Sequence, residues 1–107
     1  MQPYSNDYYK NRQAGVTRSA DVIVPIIVEL LRPASLIDVG CGIGGWLAAF
    51  AQRGVCDFLG TDGHHVDRTQ LVIPQDRFLP QDLTQPLRLE RQFDLVVSLE
   101  VAEHLEA

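Results

Sequence analysis

The sequence predicts an α/β domain with an open, mainly parallel sheet, on three observations. Short apolar stretches alternate with segments of helical periodicity, and strands joined through helices run parallel because the crossover returns the chain to the same end of the sheet. Leu36 to Trp46 (Leu-Ile-Asp-Val-Gly-Cys-Gly-Ile-Gly-Gly-Trp) reads as a strand, a glycine turn and a helix start. Each strand candidate closes on polar residues, namely Asp38, Asp62, Asp82 and Ser98 to Glu100, the layout of a sheet whose ligand lies beyond the carboxyl ends of its strands.

Residues 1–18 are polar and aromatic, with Tyr4, Tyr8 and Tyr9 close together, and read as an N-terminal arm or a short helix folding over a cleft. Ser19 offers an N-cap for a helix to about Leu31, with Val22, Ile26, Ile27 and Leu30 at helical spacing as its apolar face. Pro25 is expected to kink that helix or mark a late start, and Pro33 lies past its end. A second helix from about Gly45 to Arg53 would bury Leu47, Phe50 and Ala51 and stop at Gly54. Phe58 to Thr61 and Arg77 to Leu79 read as further strands. Pro80 suits the latter only at a sheet edge, because it cannot donate to a ladder. Phe93 to Leu99 is a strongly apolar fourth strand, and Glu100 to Glu106 begins another helix.

Composition narrows the partners. With 107 residues and 46% apolar content, the chain forms one domain. Its net charge of -5, one lysine and eight scattered arginines give no basic stripe, so nucleic acid is an unfavoured partner. No secretory leader or membrane span is read from the sequence, and Cys41 and Cys56 have neither metal spacing nor disulfide density; a reduced, cytoplasmic setting is expected. Cys41, inside the glycine turn, reads as a small loop filler rather than a nucleophile.

Gly40, Gly42 and Gly45 satisfy the dinucleotide pattern, in which missing side chains permit a tight turn and a close backbone approach. Asp62, some twenty residues on, is placed to accept ribose hydroxyls, which serves NAD and other adenosyl ligands alike. Asp38 discriminates between them. A pyrophosphate gains nothing from a carboxylate there, whereas a ligand bearing a positive amino group gains charge-assisted hydrogen bonding.

Asp38, Gly40, Gly42 and Gly44 match without a gap the first motif of the class I S-adenosylmethionine-dependent methyltransferases, and the chain resembles that family over residues 19–105. The resemblance implies that Asp62 holds the ribose and Asp82 the adenine amino group. Phe93 to Leu105 looks like the family's fourth-strand segment. It implies a Rossmann-like doubly wound sheet, here partial, with about four strands in the order 3-2-1-4 and helices on both faces. A domain over residues 19–107 would stop before the family's last strands. Cofactor contacts carried over are Asp38, Gly40, Cys41, Gly42, Gly44, Asp62, Gly63, Asp82, Leu83, Leu99 and Glu100.

Glu100, Glu103 and His104 project to one side of a helical turn. A divalent metal there is allowed but not favoured over cleft lining or acid/base work, and His104 is the candidate base if the acceptor must lose a proton. His64 and His65 read as a surface loop. The implied reaction is direct methyl transfer from the sulfonium to a small-molecule acceptor, with residues 1–107 alone expected to be inactive. A fourth strand left as an exposed edge would favour pairing with a second copy or another partner. The alternatives are a non-catalytic cofactor-binding or assembly fragment and an NAD-binding oxidoreductase domain.

Overall fold

The computed structural model describes residues 6–99, with side chains from residue 18 onward. β1 (Ser35–Val39) lies inside the sheet, and Leu36, Ile37 and Asp38 are almost wholly shielded. An apolar strand buried on both faces is the signature of a parallel sheet. β1 pairs in parallel with β2 (Asp57–Asp62), setting Leu36 beside Phe58 and Asp38 beside Gly60. On its other side it pairs with β4 (Leu95–Val97), setting Asp38 beside Val97. β3 (Phe78–Pro80) joins β2, with Gly60 beside Phe78. The order is β3-β2-β1-β4, all parallel, as the sequence led us to expect. Pro80 closes edge strand β3, where its missing N–H breaks no ladder, and the following Gln81 amide donates to Asp62 O instead (2.8 Å).

α1 (Asn6–Leu31) starts well before Ser19, so Ser19 is an internal helical residue rather than an N-cap, and the helix runs through Pro25. Proline is absent from residues 6–24, and once a helix is nucleated each added residue gains a hydrogen bond. The apolar face also differs from the expected one. Ala20 and Val24 are buried, with Ile27 and Val28 packed beside them, whereas Val22, Ile26 and Leu30 are 65%, 54% and 76% exposed. Positions 20, 24, 27 and 28 form an equally periodic stripe, and the small Ala20 suits the face that packs on α2 (Gly45–Gln52).

α2 buries Trp46, Leu47 and Phe50; Ala51 is only partly covered. It ends as expected at Gly54, whose φ of 96° lets its amide turn back to Ala51 O (3.0 Å). Both helices share one core with Leu36, Phe58, Phe78 and Val97, residues of a single sheet face. The expected helix cover on both faces is therefore present on one face among the described residues. The β2–β3 connection forms two 3-10 turns, Arg68–Gln70 and Gln75–Arg77, in place of a helix; Pro74 immediately precedes the second. No described helix is long and apolar enough to cross a membrane.

At the amino ends of the strands, Arg91 grips Asp57 with two hydrogen bonds (2.9 and 2.7 Å) and stacks over the Phe93 ring (4.2 Å). At the opposite end, Ser98 donates to Val39 O (2.8 Å), and β4 is shorter than the expected Phe93 to Leu99.

Candidate cofactor-binding site

The loop between β1 and α2 is a succession of left-handed residues, with φ of 80° at Gly40, 56° at Gly42 and 93° at Gly44, a backbone that only glycine adopts without strain. Its amides are turned toward β2. Gly40 and Cys41 both donate to Thr61 O (2.8 and 3.1 Å), Gly42 donates to Asp62 Oδ2 (2.8 Å), and Gly44 donates to Cys41 O (3.0 Å). Three consecutive N–H groups are thus held by the end of β2. Such groups are the donors with which a glycine loop would otherwise cradle a phosphate.

Two carboxylates flank the same loop. Asp38 is fully buried on the helix-covered face of the sheet, and neither of its oxygens has a hydrogen-bond partner among the described residues. Burial first, then the charge of Asp62, pushes its carboxyl up to about 7. Asp62 accepts from Gly42 N on one oxygen and from Gly63 N (2.7 Å) on the other. The Cys41 thiol, buried beside both carboxylates, is pushed well up by burial and by their charges, and it donates to Gly42 O (3.3 Å). That environment removes thiolate reactivity, in keeping with a loop filler.

Asp82 follows β3 at the surface, where one oxygen accepts from both the amide and the hydroxyl of Thr84 (2.9 and 2.6 Å), holding the carboxyl below its usual range. Leu83 beside it is exposed, and Leu99 is half-buried against the core. His64 and His65 are exposed, with His65 Nε2 3.9 Å from Asp62 Oδ1. Glu100, Glu103 and His104 lie outside the described residues. Among the described residues no cluster of His, Cys, Asp and Glu is arranged to hold a metal.

The fold therefore gathers the glycine loop, Asp38, Asp62 and Gly63 at the carboxyl ends of β1 and β2. Sequence reading missed three contributors. Thr61 acts through its carbonyl, which no side-chain pattern reveals. Gly60 was legible, since a strand-interior glycine marks a close approach, and a β-carbon there would stand 2.7 Å from Cys41 Sγ and Leu47 Cδ1. Ile73 fills the space beside Gly44, where a β-carbon would meet it at 2.8 Å.

Residues 9–107 match the family described as methyltransferase domain. The chain belongs to the class I S-adenosylmethionine-dependent methyltransferases. Within this methyltransferase domain, 63 residues are 35% identical to the ribosomal RNA large subunit methyltransferase E of Caulobacter sp. (strain K31), covering 59% of the chain and 26% of that protein. The domain thus spans about a quarter of that relative's length. No solved structure matches it. The family implies binding of S-adenosylmethionine.

Proposed function

We propose that this methyltransferase domain binds S-adenosylmethionine over the carboxyl ends of its strands and serves methyl transfer to a small-molecule acceptor. One observation carries the reading: the loop's amides are engaged by Thr61 and Asp62 while the carboxylates of Asp38 and Asp62 stand beside it. That electrostatic setting opposes a pyrophosphate and favours a ligand carrying positive charge. Asp38 has no compensating cation among the described residues, so a cationic group over the loop would offset its buried charge.

When bound, the cofactor supplies a methyl group activated by its sulfonium. Asp62 would accept ribose hydroxyls, Gly40 to Gly44 would admit the ligand close to the backbone, and Asp82 would meet the adenine amino group. His104 would take a proton from acceptors that must lose one. The acidic balance of the chain supports a small-molecule acceptor. RNA is a second reading, supported by the likeness to a ribosomal RNA methyltransferase.

Calorimetry with S-adenosylmethionine, S-adenosylhomocysteine and NAD tests the cofactor assignment. Binding of the first two and not of NAD is expected; binding of NAD alone overturns it. Labelled-methyl transfer offered ribosomal RNA and, separately, a small-molecule pool distinguishes the acceptor readings.

A further inference from the structure

We infer that Asp62 is a two-sided clamp, a positioning residue that fixes the glycine loop through the Gly42 amide while keeping lone pairs open for the ribose. A carboxylate offers about four acceptor sites on its two oxygens. Gly42 N takes one on Oδ2 and Gly63 N takes one on Oδ1, so each oxygen retains capacity for a ligand hydroxyl. The contact to Gly42 bridges twenty residues of sequence and ties loop to strand through a charge-assisted bond, the stronger class of hydrogen bond. Gly40 and Cys41 are tied to the neighbouring Thr61 by backbone bonds that any residue at position 61 would supply, so Gly42 is where a side chain decides the shape of the loop. Gly42 has a φ of 56°, and without its acceptor the loop is free to relax toward other conformations open to glycine.

The loop half of this inference stands alone; the ribose half rests on the cofactor reading above. Asp62 therefore acts on every ligand that touches the loop, whether or not it carries a ribose diol. An asparagine at 62 would place an amide NH2 where a second acceptor stood, and so could not accept from both Gly42 and Gly63.

Amide exchange of Gly42 in the ligand-free protein tests the loop half. In the unmodified chain the Gly42 amide is expected to be protected from exchange, and Asp62→Ala, which removes the acceptor outright, is expected to speed its exchange roughly tenfold or more. A Gly42 amide unprotected in the unmodified chain, or indifferent to the variant, overturns the clamp, and the first reading needs no variant to fold. The ligand half compares S-adenosylhomocysteine with its 2′,3′-dideoxy analogue, two ligands of equal charge, at pH 8.5, where Asp38 is ionised. A clamp requires Asp62→Asn to weaken both ligands, with the larger loss for the one bearing hydroxyls. Loss confined to that ligand overturns the clamp and leaves a ribose contact alone. Failure of the unmodified chain to bind either ligand overturns the cofactor reading, while the Gly42 measurements still decide the loop half.

Discussion

Asp94 and Ser35 lock the start of β4 to the start of β1: the Asp94 amide donates to Ser35 Oγ at 2.9 Å, and the Asp94 carboxylate accepts the neighbouring Ala34 amide at 2.8 Å. The pair bridges about sixty residues at the point where β4, only three residues long, would otherwise be held by few ladder bonds. Replacing Asp94 by alanine is expected to cost about 1–2 kcal/mol, and Ser35→Ala about 1 kcal/mol, in unfolding free energy. Because both contacts serve one junction, the double variant should lose less than the sum of the single losses. Urea denaturation of the three variants measures it.

Gly44 and Gly54 have nearly the same backbone, with φ of 93° and 96°, yet different surroundings. A β-carbon on Gly44 would stand 2.8–3.0 Å from three atoms of Ile73, while nothing lies within 4 Å of one on Gly54. Gly54→Ala is expected to cost about 1 kcal/mol from the left-handed conformation alone. Gly44→Ala should add overpacking, for a total of roughly 2–4 kcal/mol. Pairing Gly44→Ala with Ile73→Ala tests the cause, since cutting Ile73 back to its β-carbon removes all three contacts, and Gly44→Ala should then cost less in that background than in the unmodified chain.

Gly60→Ala would drive a methyl against Cys41 Sγ and Leu47 Cδ1, both 2.7 Å from the new carbon. A loss of about 1–3 kcal/mol is expected. Adding Cys41→Ala removes one of the two obstacles and should recover a measurable part of the denaturation midpoint. No recovery would mean that Leu47 carries the clash.

The buried Asp38 makes stability and ligand affinity move in opposite directions with pH. In the unfolded chain its carboxyl loses its proton near the ordinary 3.8, whereas the folded chain retains it to about 7. The fold binds the extra proton between those values, so the stability owed to this group is full below 3.8 and is lost as pH rises through 7. The thermal midpoint of the ligand-free protein should therefore fall between pH 5 and pH 7.5, an effect on the order of a few kcal/mol, and Asp38→Asn should flatten that slope. Affinity for a cationic cofactor should rise over the same interval, as the carboxylate becomes charged.

The parallel sheet was readable because β1, β2 and β4 are short apolar stretches ended by polar residues and the Asp38 to Gly44 spacing demands a tight turn directly after β1, whereas the strand order came through the family resemblance that the same spacing carries. The face of α1 was not, since Val22, Ile26 and Leu30 keep the same period as Ala20, Val24 and Ile27, and periodicity alone does not rank two apolar stripes on one helix. The start of α1 was misplaced for a related reason: Ser19 is a favourable cap residue, but a cap acts only where the preceding chain is not already helical. The 3-10 turns after β2 escaped because three-residue helices carry no periodic signal. At the site, Asp38 and Asp62 were visible as residue types, yet their surroundings were not. Which oxygen meets which amide depends on how β2 lies against the loop.

The engagement of the Gly40, Cys41 and Gly42 amides with β2 bears on how such a loop could change its cofactor. Exchanging Asp38 for a neutral residue removes one repelling charge, but leaves those three donors turned away from any diphosphate. Remodelling toward a dinucleotide would have to begin one strand over, at Thr61 and Asp62, and only then reach the glycines that carry the recognisable pattern.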